Sequence, residues 1–238
     1  MPRYKVAGVV FDAVVNYGYV VEECKNYQYF GDEPAEFTAV VTMDDIKKEK
    51  ELAPDFPEFY LESLALFRKL CYYVLSEKQG LIFHSSAIMV DGEAYLFTAP
   101  SGTGKSTHTR LWRELLGDRA IMINDDKPII RHEDGEFFVY GTPWNGKHHL
   151  DTNTKAKVKA ICQINQSEDN VIQKILPCEM LMMVLNQTIR PSEEMEFDKL
   201  IGLIDKLLTK VDLYKLGCNV SLDAAKLAFS TMSKGESV

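Results

Sequence analysis

For its first forty positions the chain sets short apolar runs between turn residues, and then its period changes. Lys5 to Val15, Tyr17 to Val21 and Glu36 to Met43 are β-rich runs separated by Asn, Gly, Asp and Pro, a pattern that predicts an antiparallel N-terminal sheet. No function is legible in it. Asp44 to Pro57 is charged and carries two prolines. From Glu58 to Gln79 the apolar residues Leu61, Leu64, Phe67, Cys71 and Val74 or Leu75 recur at helical spacing, with Gly80 as the stop.

Two apolar runs follow, Leu81 to Val90 and Glu93 to Ala99, joined by Asp91-Gly92. Asp-Gly in that setting predicts a tight hairpin, so the second run pairs antiparallel with the first and the sheet that holds them is mixed. Lys105 to Leu116 reads as a helix, and Arg119 to Ile123 as a strand ending at Asn124-Asp125-Asp126. Strands are expected at Pro128 to His132 and Glu136 to Tyr140, around the turn Glu133-Asp134-Gly135. Beyond the loop Gly141 to Lys147 the pattern gives a strand at Val158 to Ile164 and helices at Cys178 to Gln187 and Glu194 to Thr209. A strand at Val211 to Leu216 and a helix from Ser221, its cap, to Met232 complete it. The tail from Lys234 to Val238 is expected to fray. The fold class is therefore α/β with a mixed sheet, divided into a β-rich subdomain, residues 1–57, and a nucleotide-binding domain, residues 58–238.

Composition narrows the partners. With 35 acidic against 27 basic residues the net charge is -8, which excludes a broad nucleic-acid or anionic-membrane surface and leaves only local anion binding. Cys24, Cys71, Cys162, Cys178 and Cys218 lack metal-ligand spacing and read as buried reduced thiols, which points to a cytoplasmic setting. The first apolar run is broken by Asp12 and reads as a strand, not a signal sequence, and no run is long enough to span a bilayer.

The chemistry is concentrated between residues 84 and 147. Ala99-Pro100-Ser101-Gly102-Thr103-Gly104-Lys105-Ser106, between a strand and a helix, has the form of a P-loop with Ala99 in place of the first glycine. In such a loop the backbone N–H groups of Ser101 to Thr107 face ATP phosphates, Lys105 reaches the β- and γ-phosphates, and Ser106 offers its hydroxyl to magnesium. Asp125-Asp126, some twenty residues on, ends an apolar strand. Adjacent residues on an extended chain point opposite ways, so one can hold the metal while the other takes a proton from an attacking hydroxyl. The bland alternative is an Asp-rich turn. His84 opens a hairpin strand near the loop, either as a structural residue or as a functional one. In Gly141-Thr142-Pro143-Trp144-Asn145-Gly146-Lys147, Trp144 is either a substrate wall or a core plug, with Asn145 and Gly146 leading to Lys147, a cation for a second anion. His148-His149, read as strand neighbours, diverge and do not share a metal. Arg110 and Arg131 are unassigned cations.

Taken together, His84-Ser85-Ser86-Ala87, the Asp91-Gly92 hairpin, Ser101 to Ser106 and Asn124-Asp125-Asp126 resemble the catalytic core of HPr kinase/phosphorylase and its relatives. Gly141 to Lys147 is similar to the substrate loop of phosphoenolpyruvate carboxykinases, which share that fold. The resemblance implies Lys105 as the phosphate-binding lysine, Ser106 as a magnesium ligand, Asp126 as the carboxylate that activates the acceptor hydroxyl, and His84 as the active-site histidine. Asp125 is left as the second metal ligand. Thr107 stands where HPr kinases have Glu, and Phe138 and Val139 supply no carboxylate before Gly141. The function expected is an ATP- and Mg-dependent kinase acting on a hydroxyl of a small molecule or a peptide serine. A non-catalytic ATP-binding module and the reverse phosphorylase or phosphatase reaction are the alternatives.

Overall fold

A strand covered on both faces has to be apolar at consecutive positions, and β6 (Glu93–Thr98) and β10 (Lys155–Gln166) satisfy that demand. Along β6, Ala94 and Leu96 enter one hydrophobic cluster, while Tyr95 and Phe97 enter another on the opposite face. Ile161 of β10 joins the first cluster and Ala160, Cys162 and Ile164 the second, which places β10 at the centre of a two-faced sheet. The computed structural model describes residues 1–234; residues 235–238, most of the tail expected to fray, lie outside the described residues.

The large sheet has nine strands, with β4 (Gly80–Ile82), β8 (Ile129–Glu133), β9 (Glu136–Tyr140), β10, β6, β5 (Ser86–Val90) and β7 (Ala120–Asn124) in that order. β12 (Asp212–Cys218) also pairs with β10 and carries β11 (Val171–Lys174) on its other side. The pairing is mixed: β6 runs antiparallel to β5 and parallel to β10. Asp91 (φ 51°) and Gly92 (φ 87°) both adopt left-handed geometry, as a two-residue hairpin of this kind requires. Helices α4 (Lys105–Leu116) and α7 (Leu222–Met232) cover one face, where Trp112 is sealed among Tyr95, Phe97 and Phe229. Helices α5 (Pro177–Asn186) and α6 (Glu194–Lys210) cover the other through Met180, Val184, Ile204 and Leu207.

The N-terminal part departs from its expected form. The single run expected over Lys5 to Val15 is split into β1 (Arg3–Val6) and β2 (Val9–Val14), which pair antiparallel, and β3 (Phe37–Val40) lies parallel to β2 where an antiparallel neighbour was expected. The long connection between β2 and β3 carries α1 (Tyr19–Glu23), where a strand was expected over Tyr17 to Val21, and so returns the chain in the same direction. The charged stretch after Val41 is a helix, α2 (Met43–Leu52), started by a capping box between Thr42 and Asp45. α3 (Glu58–Lys78) ends at Gln79, whose φ of 49° makes the reversal expected of Gly80. Gly80 instead pairs with Arg131, and a Cβ there would stand 2.4 Å from Val74 Cγ1 and 2.9 Å from the Ile130 carbonyl.

The boundary expected after residue 57 lies just before α3, and the packing runs across it. One cluster joins Tyr4, Phe11 and Leu66 to Ile129, Tyr140 and Trp144. Among the described residues no helix is long and apolar enough to cross a membrane. Four of the five cysteines are buried; Cys178, at the start of α5, is exposed.

Candidate functional site

The segment between β6 and α4 has to turn a buried strand into a helix within a few residues, and glycines make the turn. Gly102 (φ 80°) and Gly104 (φ 117°) take left-handed geometry that a side chain would resist, and Gly104 is the residue from which α4 starts. Lys105 at the head of α4 is 8% exposed and its Nζ donates to the Ala99 carbonyl at 3.0 Å. Burial lowers its pKa, opposed by the charges of Asp126 and Asp125.

Those two carboxylates follow β7 in a bend, so the extended-chain argument for their divergence does not apply. The bend is shaped by Asn124, which is fully buried. Its Oδ1 accepts from the N–H groups of Asp126 at 2.8 Å and Lys127 at 2.7 Å. Its Nδ2 donates to the Thr142 carbonyl at 2.8 Å and to Thr142 Oγ1 at 3.1 Å, fastening the aspartate bend to the loop Gly141 to Lys147. The His84-Ser85-Ser86 stretch supports the bend from the other side. Ser85 N–H donates to the Asp126 carbonyl at 3.1 Å, and the Ser86 hydroxyl donates to Asp125 Oδ1.

Asp126 is held on both of its oxygens. His84 Nε2 meets Oδ1 at 2.7 Å, and the Lys127 ammonium donates to Oδ2. Burial alone would raise the Asp126 pKa, but the hydrogen bond from His84 and the charge and hydrogen bond of Lys127 outweigh it and bring it down to about 2. On its far side His84 Nδ1 meets Gln187 Oε1 at 2.7 Å, and its backbone N–H donates to the Gln187 carbonyl at 2.7 Å. Asp126 is also pressed by Gly146, where a Cβ would lie 3.0 Å from Asp126 Cβ at a backbone φ of +72°.

A cleft of ≈ 600 Å³ collects most of the residues expected from sequence: Ser101, Gly102 and Gly104 to Thr107, His84, Asp125 and Asp126, and Trp144 to Lys147. Thr103 turns to a second cavity of ≈ 670 Å³ behind the glycine loop, bordered by Leu111, Ile164 and Gln166. Trp144 is 3% exposed, packs on Phe67 at 4.5 Å between ring centroids, and donates from Nε1 to Ser63 Oγ at 2.8 Å. It fills the core beside the cleft. Asn145 donates to Asp151, and Lys147 is exposed. His148 lies in a 3-10 turn and His149 at its left-handed end, so neither is on a strand. Arg110 pairs with Glu114 at 3.3 Å and Arg131 with Glu133 at 3.2 Å, away from the cleft.

Several cleft residues carry no signal that sequence reasoning used. Glu23 and Tyr19 of α1 and Tyr60 of α3 bring the N-terminal part to the cleft wall. Burial raises the Glu23 pKa against hydrogen bonds from Ser63 and Tyr19 and the charges of Lys127 and His149. Lys127 and Asn124 could have been found from their places beside the aspartates; Gln187, more than a hundred residues from His84, could not.

No family model matches the chain, and no curated protein matches it in sequence. Among solved structures, the Hpr(Ser) kinase/phosphatase from Coxiella burnetii is similar to it at 10% identity, with a TM-score of 0.35, over 64% of this chain and 93% of that chain. That likeness is distant and confined to the fold. The residues above stand on their own geometry.

Proposed function

We propose that the chain is an ATP- and magnesium-dependent phosphotransferase that moves the γ-phosphoryl group to a hydroxyl acceptor. The observation that carries the reading is that a glycine loop with its lysine and a cation-braced carboxylate face one cleft. In this reading the phosphates lie along Ser101 to Thr107, and the nucleoside extends into the cavity bordered by Leu111 and Ile164, which shares Gly102, Gly104 and Thr107 with the cleft. Lys105 leaves the Ala99 carbonyl for the phosphates and offsets the charge that gathers on the transferring group.

The donors for magnesium fit. Asp125 and Ser106 are hard oxygen donors on the cleft wall, and magnesium takes one or two protein oxygens and fills its shell with phosphate and water. When bound, the ion neutralises charge between the phosphates. Among the described residues no group of three or more His, Cys, Asp or Glu side chains could hold a metal.

Asp126 accepts the hydroxyl hydrogen of the acceptor and aims its oxygen. With a pKa of about 2 it is a weak base, but it stays ionised across the physiological range. A loose phosphoryl-transfer transition state asks for positioning more than for early proton removal. His84 and Lys127 hold the carboxylate in place, and Lys147, exposed at the cleft mouth, can meet an anion on the acceptor.

One observation favours non-catalytic nucleotide binding: Val139, two residues before Gly141, is fully buried, and no carboxylate stands there. A single experiment separates the two. Labelled ATP is supplied with hydroxyl metabolites and serine peptides, and Lys105→Ala is run beside the parent with its folding checked by thermal melting. Transfer and calorimetric ATP binding by the parent, both lost in the folded variant, are expected. Unchanged ATP binding by the variant would refute the phosphate-loop assignment.

A further inference from the structure

His84 and Lys127, the two partners of the Asp126 carboxylate, line more than the cleft. On their far side lies a separate cavity of ≈ 380 Å³ to which both side chains also contribute. That volume is at the small end of the ~300–1,000 Å³ range of ligand pockets. Its walls mix apolar and polar residues, the apolar part formed by Leu64 and Phe67 from α3, Ile82 from β4 and Ile189 from the segment after α5, with Gln187 and Thr188 among the polar part. The charged pair beside them is already satisfied. Arg68 donates to both carboxylate oxygens of Glu49, the Nη2 bond at 3.0 Å, so neither is left over for a ligand charge. The cavity also has a rigid floor, because the Thr188 hydroxyl donates to the Ile82 carbonyl at 2.6 Å and the His84 N–H to the Gln187 carbonyl at 2.7 Å.

We propose that this pocket receives an apolar group of the acceptor, so that the acceptor class is a hydroxyl compound or serine segment with a branched aliphatic or aromatic substituent near the hydroxyl. The proposal rests on the phosphotransferase reading for the word acceptor, but the pocket and its preference stand on the geometry. A hydroxyl reaching Asp126 meets His84 and Lys127, and because these two residues line both the cleft and this cavity, the cavity offers a neighbouring space in which a substituent can lose water. Burial of the substituent there fixes the direction of the hydroxyl, converting remote binding into alignment with the γ-phosphoryl group. Specificity between acceptors then follows the size of the apolar group, while Lys147 acts on any distal anion.

The test reads binding and not transfer. The intact chain, with labelled isoleucine and leucine methyl groups, is titrated with ethanol, 1-butanol, 1-hexanol and 2-phenylethanol. Affinity should rise about fourfold per added methylene until the cavity is filled. The methyl signals of Leu64, Ile82 and Ile189 and the ring signals of His84 should move together. Ile189→Arg and, as a milder second variant, Leu64→Gln should abolish the chain-length dependence, whereas Lys105→Ala should keep it. Affinities independent of chain length, or a dependence that survives both pocket substitutions, would overturn the proposal. A chain that keeps the trend but binds no ATP would refute the phosphotransferase reading and leave the pocket standing.

Discussion

Asn124→Ala should be the most costly single substitution around the aspartate bend, although Asn124 touches no substrate in the proposed reaction. The amide makes four hydrogen bonds of 2.7 to 3.1 Å, accepting two from Asp126 and Lys127 and donating two to Thr142. At ~1 kcal/mol net for each bond, and more for any partner left buried and unpaired, the loss comes to about 3–5 kcal/mol. Set against a typical ~5–15 kcal/mol for a whole domain, the variant would still fold but with a much lower denaturation midpoint. The assay is guanidinium unfolding followed by tryptophan fluorescence, since an unchanged slope with a lower midpoint reads as lost stability. Asn124→Asp dissects the effect: it retains an acceptor for the two N–H groups, loses the donor to Thr142, and adds a third negative charge beside Asp125 and Asp126. It should recover part of the stability and little of the transfer activity. A cost below ~1 kcal/mol for Asn124→Ala, or full activity in Asn124→Asp, would refute the idea that this amide locks the bend to the Gly141 loop.

Three more outcomes are expected. Asp126→Asn should reduce transfer far more than ATP binding, while Asp125→Asn should raise the magnesium concentration needed; equal loss of ATP binding in both, measured by calorimetry, would remove the division of roles. Acid should destabilise the fold in two stages. His108, pushed by burial down to about 4, stays neutral while the unfolded chain takes up a proton, so stability falls as pH drops from ~6.5 to ~4. Asp126, with its pKa near 2, then loses its contribution as pH falls below ~4, about 2 kcal/mol in all, so His108→Phe should flatten the upper stage and Asp126→Asn the lower in urea titrations across pH. Lys147→Ala should leave ATP affinity and background ATPase near the parent values and raise the acceptor KM; loss of ATP binding would place Lys147 on the nucleotide side.

Features set by neighbouring residues were legible in the chain itself. Asp91-Gly92 dictates a hairpin because both positions need left-handed geometry, and the Ser221 hydroxyl caps α7 by accepting from Ala224 N–H. The glycine loop with Lys105 and the paired aspartates were legible for the same reason, since a strand, a glycine turn and a helix head are all local. Where tertiary contacts outweigh local preference, the pattern misled. Tyr17 to Val21 reads as a strand, but Glu62 of α3 takes the Tyr17 N–H at 2.8 Å and Val20 is buried, and the chain turns there into α1. α2 was hidden because its ten residues bury only Ile46 and Glu49, the latter held by Arg68, so little apolar period is left to read. The candidate site divides along the same line. His84, Lys105, Asp125 and Asp126 could be named from sequence, but the pairing of His84 with Gln187, the lock of Asn124 on Thr142 and the core position of Trp144 are long-range contacts. Only the folded chain, which gathers the stretch after β4, the bend after β7 and the Gly141 loop around one cleft, decided them.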